Sequence, residues 1–142
     1  MVEIKLNTLN LQDYKSLRKS VGWKELSDKQ MTKALRNSIV TFCAYEDEKP
    51  IGMGRIVGDG AVICYIQELI VCPEYQGKGV GDALMRRLIG YVESLRIENT
   101  ELMLCLMCAK GREPFYERYG FIGRPTDSLG PGMIMYLNDR VK

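Results

Sequence analysis

The chain has 142 residues, 46% hydrophobic and 27% charged, a globular balance at a length where about two-thirds of the unfolded surface can be buried in one core. Its net charge of +2 is well mixed along the chain, which argues against a nucleic-acid footprint, and no run approaches the ~20 apolar residues of a membrane span. There is no histidine, which excludes Ser-His-Asp and Cys-His catalysis and histidine-bearing zinc sites. Five cysteines, with no secretory pattern across Met1 to Leu11, fit the reducing cytoplasm better than a disulfide framework.

Hydrophobic periodicity orders the elements. Val2, Ile4 and Leu6 alternate with Glu3 and Lys5, the pattern of a half-buried strand. Asn10 stands as N-cap before Leu11, Tyr14, Leu17, Arg18 and Val21, a helical stripe that Gly22 ends. Ser27-Asp28-Lys29-Gln30 is a capping box for a second short helix through Met31, Ala34 and Leu35. Ile39 to Glu46 and Ile51 to Val57 are predicted strands joined by the turn Asp47-Glu48-Lys49-Pro50. After the turn Gly58-Asp59-Gly60, Ala61 to Val71 is a long apolar strand that completes an antiparallel meander. Val80, Leu84, Leu88, Tyr91, Val92 and Leu95 mark an amphipathic helix. Thr100 to Met107 is a further strand, 113 to 119 a short helix with Pro114 in its first turn and Gly120 at its end, and Met133 to Leu137 a last strand. The order is β-α-α-β-β-β-α-β-α-β in a single domain, 1–142: a mixed sheet flanked by helices.

The chemistry concentrates between the long strand and the amphipathic helix. Pro73-Glu74-Tyr75-Gln76-Gly77-Lys78-Gly79-Val80-Gly81 carries glycines at 77, 79 and 81. Such a loop permits positive φ and leaves no Cβ between amide and ligand. Successive N–H groups at a helix N-terminus form a phosphate site, and Lys78 adds a mobile positive charge; a pyrophosphate is the natural occupant. A P-loop pattern is absent. A dinucleotide fingerprint would need a third glycine where Leu84 or Asp82 stands, and the upstream strands are hairpin-linked. A glycine-rich turn with no ligand is the bland alternative.

Gln76-Gly77-Lys78-Gly79-Val80-Gly81 resembles the Q/R-x-x-G-x-G/A acetyl-CoA motif of the GNAT superfamily of N-acetyltransferases. Glu68-Leu69-Ile70-Val71-Cys72-Pro73-Glu74-Tyr75 is similar to that family's β4 strand and its exit. Phe115-Tyr116-Glu117-Arg118-Tyr119-Gly120-Phe121 is similar to its F-Y-x-x-x-G-F segment. The resemblance spans Ile39 to Phe121 and implies an α/β (α+β) fold with a mixed, mostly antiparallel sheet. It implies an acetyl-CoA-dependent enzyme, without metal, that acetylates a primary amine, most simply a small molecule. Two parallel strands splay apart in this family: backbone groups of Leu69, Ile70 and Val71 would hold the pantetheine arm and thioester, and amides from Gln76 to Asp82 the pyrophosphate. The resemblance makes Tyr116 the general acid that protonates the leaving thiolate; the alternative is a tyrosine that packs its helix.

Glu68 is the carboxylate nearest the expected chemistry, as base, as anchor for an ammonium substrate, or as a structural hydrogen-bonding group. Gln67, where some relatives place glutamate, cannot take a proton; the two residues face opposite ways unless a bulge intervenes. Trp23, Tyr65 and Asp59 are candidate acceptor-pocket residues, and Tyr119 is expected in the core. Two departures stand out: Cys108 to Glu113 lacks the asparagine that often binds pantetheine, and Asp82 follows the last motif glycine, where Lys78, Arg86 and Arg87 would offset its charge. Cys105-Leu106-Met107-Cys108 is formally C-x-x-C, but an apolar strand suits core cysteines better than a redox pair or zinc site. Met53, Met85 and Met103 are expected core fillers, and Cys72 a packing residue. An edge strand and the final Met133 to Leu137 strand are the elements that could pair across a homodimer. A non-catalytic acyl-CoA sensor, and acetylation of a protein N-terminus or lysine, remain open beside the small-amine reading.

Overall fold

The computed structural model describes residues 1–139. The chain divides into two compact units, Met1–Met107 and Cys108–Lys142. The first carries β1 (Val2–Leu6), α1 (Leu11–Ser20), α2 (Asp28–Arg36), β2 (Val40–Glu46), β3 (Lys49–Gly58), β4 (Ile63–Val71), α3 (Val80–Leu95) and β5 (Met103–Leu106). Its sheet follows chain order, β1-β2-β3-β4-β5. Every pairing is antiparallel except β4 with β5, which are parallel and connected through α3.

The helices begin where the capping residues predict. Asn10 accepts the Asp13 amide at 2.9 Å, and Ser27 accepts that of Gln30 at 3.1 Å. One face of the sheet packs under α1 and α2, where Tyr14, Leu17 and Met31 meet Cys43, Met53, Ile70 and Cys72. The other lies under α3, whose Val80, Leu84, Met85, Leu88 and Val92 are buried. Strand alternation divides the two cores: Met53 points to α1, while the Cα–H of Gly52 and Gly54 lets Leu84 and Leu88 approach the backbone.

The β2–β3 connection is tighter than the sequence predicts. Asp47 and Glu48 both take left-handed φ, 49° and 67°, and β3 resumes at Lys49 opposite Glu46. This is the two-residue hairpin whose twist matches the strands. Pro50 is tolerated inside β3 because the register shifts beside it, between Ala44 and Tyr45. The predicted last strand is not present: residues 131–138 form no ladder, and the side chains of Met133, Ile134, Met135, Tyr136 and Leu137 are 64–88% exposed. A strand needs a partner for its backbone, and none of the described strands supplies one. β5 is also shorter than predicted, and Met103 at its start is 51% exposed rather than a core filler.

In the second unit, α4 (Glu113–Glu117) begins with Pro114 in its first turn and closes at Gly120, φ 101°. Its ring cluster sets Phe115 5.1 Å from Tyr116 and 5.6 Å from Tyr119, and Tyr116 6.2 Å from Phe121. Tyr119 is half-buried in this cluster.

Gly58 has φ 140°, and a Cβ there would lie 2.4 Å from the Ile63 carbonyl oxygen. It would also lie 2.9 Å from Cys64 Cα; both obstacles are backbone, so Gly58→Ala is expected to destabilise by ~2 kcal/mol or more, measured by urea unfolding.

Candidate active site: a split sheet, a buried carboxylate and an open glycine loop

β4 carries its site by losing one neighbour. Its parallel ladder with β5 ends at Ile66 and Leu106, yet β4 continues to Val71. From Gln67 onward this edge has no strand beside it among the described residues, so Leu69, Ile70 and Val71 can pair with an extended ligand as a strand would. A bulge marks the point of separation. Met53 faces Ile70 and Arg55 faces Gln67, so Glu68 and Leu69 together oppose Gly54. Glu68 takes φ 62°, a left-handed conformation that costs a non-glycine residue roughly 1–2 kcal/mol.

The Glu68 side chain is 1% exposed and meets three donors. Its Oε1 accepts from the Tyr14 hydroxyl and from Arg55 Nε at 2.6 Å, and its Oε2 from Arg18 Nη1. Arg55 also donates to Ser38 Oγ at 3.2 Å, and Arg18 to the Lys24 carbonyl at 2.7 Å. The Arg18 guanidinium lies 5.5 Å from the Trp23 ring centre, and its Nε is buried without a partner. Burial, with the Glu68 hydrogen bond second, pushes the Tyr14 phenol up to about 12, so at neutral pH Tyr14 is a donor. The bulge therefore turns Glu68 into a charge-paired cluster that ties β4 to α1 and β3. Tyr14, Arg55 and Ser38 were not singled out as site residues. The available signals were one arginine within the apolar run Ile51 to Val57, and Arg18 within the apolar stripe of α1.

Past the split, Gln76 Nε2 donates to the Val71 carbonyl at 2.9 Å, which tethers the loop to the strand end. Gly77 and Gly79 have φ 76° and 86°, and a Cβ on either would meet nothing within 4 Å. Gly79 is the N-cap of α3 and offers no capping side chain. The first backbone bond of the helix runs from Ala83 N to the Gly79 carbonyl at 3.0 Å. The preceding amides have no intrahelical acceptor and sit at the positive end of a 16-residue helix. Asp82 is neutralised by Arg86 Nε at 3.0 Å, whereas Arg87 lies over Phe42 at 5.4 Å. Lys78 rests 5.6 Å from the Tyr75 ring. The donor set, the open space at both glycines and the unpaired β4 edge fit a pyrophosphate with an extended arm.

The remaining candidates fall elsewhere. Tyr65 and Gln67 are half-buried on β4, opposite Val57 and Arg55. Asp59 accepts the amides of Ala61, Val62 and Ile63 at 2.8, 2.8 and 3.0 Å, so it caps its own turn; those donors, Ile63 first, hold its carboxyl below the usual range. Trp23 is 40% exposed beside Arg18. Tyr116 lies in the second unit, half-buried, its phenol raised by burial and then by the nearby Cys108 thiol. All five cysteines are free; Cys43, Cys64 and Cys72 are buried, but Cys105 is half-buried and Cys108 exposed, so the pair is not a core pair.

A sheet that parts between two parallel strands, beside a glycine loop opening a helix, defines the acyl-CoA-dependent transferase class. The chain belongs to the acetyltransferase (GNAT) domain family, which residues 37–122 match. It is 33% identical over 126 residues to the uncharacterized N-acetyltransferase ycf52 of Gracilaria tenuistipitata var. liui, covering 86% of this chain and 67% of that protein. A probable acetyltransferase of meticillin-resistant Staphylococcus aureus superposes with TM-score 0.84 at 27% identity, over 96% of this chain and all of the other. A GNAT family protein of Streptococcus pneumoniae does so with TM-score 0.79 at 27% identity, over 98% and 99%. The enzyme is an acetyl-CoA-dependent N-acetyltransferase. No helix among the described residues is long and apolar enough to cross a membrane.

Removing the shared acceptor leaves two largely buried guanidiniums without a carboxylate. Glu68→Ala is expected to cost about 3–5 kcal/mol in urea unfolding, and Tyr14→Phe about 1.5–3 kcal/mol. A loss below ~1 kcal/mol for Glu68→Ala would show that the cluster does not bear on stability.

Proposed function

We propose that this enzyme acetylates a small primary amine, with acetyl-CoA held along the β4 edge and in the glycine loop. The observation that carries the reading is the uncapped N-terminus of α3, entered through Gly77 and Gly79 in left-handed conformations, at the end of the strand edge from Gln67 to Val71. Backbone groups of Leu69, Ile70 and Val71 would hold the pantetheine arm, and amides from Gln76 to Asp82 the pyrophosphate. Acetyl-CoA supplies an activated acetyl group, which an uncharged amine accepts by direct attack while CoA departs as a thiolate.

Tyr116 is the proposed proton donor to that thiolate. A phenol raised by burial stays protonated at neutral pH, as an acid must before turnover. Glu68 acts by position rather than as base: its oxygens already serve Tyr14, Arg18 and Arg55, and its left-handed backbone shapes the bulge. The exposed face of Trp23 beside Arg18, with Tyr65 and Gln67, is where the acceptor amine would be sought; Asp59 has the weaker claim because its turn occupies it. Five free thiols fit a reducing compartment such as the cytoplasm.

The test is CoA release from acetyl-CoA, quantified by chromatography, against polyamines, arylalkylamines, amino sugars and lysine peptides. Turnover confined to one class of small amine supports the reading. Turnover only on peptides would replace it with a protein acetyltransferase, and binding without any turnover with a sensor. Tyr116→Phe should lower kcat about 10²–10⁴-fold and leave the acetyl-CoA Kd unchanged. Because burial raises the Tyr116 phenol, the alkaline fall in kcat assigned to it should lie at higher pH than that of a free phenol, and Tyr116→Phe should abolish that limb. Gly79→Ala forces a side chain into φ 86° and should weaken acetyl-CoA binding roughly tenfold with the Tyr116 limb intact.

A further inference from the structure

Positive charge is unevenly placed along this chain. Residues 11–37, which hold α1, α2 and their connection, carry seven basic and three acidic side chains, +4 where the whole chain is +2. Arg18 and Lys19 stand in the last turn of α1, and Lys24 follows Trp23. Lys15 is paired with Asp28 at 2.8 Å, whereas Lys19, Trp23 and Lys24 are exposed.

The imbalance matters most where the charge is buried. The Arg18 and Arg55 side chains are each 12% exposed, and among the described residues Glu68 is the one carboxylate in an ion pair with either. Their other acceptors, the Lys24 carbonyl and the Ser38 hydroxyl, are neutral. Tyr14, its phenol pushed up to about 12 by burial first, donates to Glu68 without adding a charge. Two guanidiniums thus share one carboxylate, and Arg18 Nε has no acceptor among the described residues. A buried cation short of its counter-charge is costly, and so is a buried donor without an acceptor. Both deficits fall on Arg18, whose guanidinium lies 5.5 Å from the centre of the exposed Trp23 ring.

We propose that the acceptor is an amine bearing a carboxylate, an amino acid in the broad sense, and that Arg18 binds this carboxylate beside the Trp23 ring. The inference rests on the small-amine reading above and adds the second group of that substrate. A carboxylate fits on two counts. It is a monoanion, which matches a surplus of one, and it is planar, which matches the edge of a guanidinium. A polyamine would bring further positive charge to a site that already has an excess. Position agrees with the chemistry: Arg18 donates to Glu68, and the β4 edge proposed for the thioester begins at the next residue, Leu69. A substrate held by its carboxylate at Arg18 has its amine close to that edge.

Matched amines test this: leucine beside its methyl ester and isopentylamine, phenylalanine beside its methyl ester and phenethylamine, and β-alanine beside phosphoethanolamine. In each set the carboxylated member should show kcat/KM at least ~10-fold above its partners. Trp23 is the single tryptophan, so its fluorescence in the CoA complex should report the same order of affinity without turnover. Arg18→Lys keeps the charge but loses the fork, and should shrink the preference to roughly 2-fold. Circular dichroism checks that this variant folds; if it does not, the wild-type sets decide. Equal or faster turnover of the amines lacking a carboxylate overturns the proposal and leaves the small-amine reading standing. Preference for phosphoethanolamine over β-alanine overturns the carboxylate in favour of a phosphate. Turnover confined to peptides overturns the small-amine reading; the fluorescence titration then decides the carboxylate site, and an absence of response to every carboxylated member overturns it.

Discussion

A buried carboxylate in a left-handed stretch of strand is the constraint on which the first unit turns. Glu68 sits where β4 takes an extra residue against β3, and its φ of 62° is one that strand interiors avoid. The conformation persists because the surroundings over-determine it: Tyr14 and Arg18 from α1 and Arg55 from β3 converge on the two carboxylate oxygens. An apolar side chain of similar volume could fill the space, but it would not draw three donors from two other elements to one point. Here the ion pairs specify a geometry more than they supply stability, since desolvating one carboxylate and two guanidiniums offsets much of their attraction.

That geometry has a direct consequence for the sheet. β4 keeps its parallel ladder with β5 only as far as Ile66, and the bulge begins two residues later at Glu68. Beyond it the strand presents backbone groups on an open edge, and Gln76 fastens the following loop to the strand end at Val71. The helix that follows supplies the rest by omission. Gly79 has no side chain to cap α3, so the first amides, which a capping side chain serves in many helices, are left for a ligand. The charges around the loop are arranged to leave that end positive: Asp82 is held by Arg86, and Lys78 lies over Tyr75.

The two margins of the sheet show the opposite treatment of a shared problem. An edge strand exposes unpaired N–H and C=O groups whatever its sequence. β1 meets this with Glu3 and Lys5, while β5 has only apolar residues. Local pattern predicts a strand at 133–137, yet residues 131–138 form no ladder, because pairing is a long-range matter that local pattern does not carry.

Sequence by itself determined the elements as far as α4, though not the extent of β5, and the class of chemistry. Hydrophobic period, Asn10 and Ser27 as caps, the glycines at 77, 79 and 81 and the apolar stripe of α3 are local signals, and each acts through the backbone within a turn or two of itself. The bulge was legible only as a condition, that Gln67 and Glu68 face opposite ways unless one intervenes. Tertiary structure decided the rest. Arg18 and Arg55 are separated from Glu68 by 50 and 13 residues, and nothing near Glu68 in the chain announces that its oxygens are taken. Asp59, a pocket candidate by sequence, proved to be the cap of its own turn because three amides fold back on it. A carboxylate's role is set by which donors reach it first, and that is fixed by packing between distant elements rather than by its neighbours in sequence.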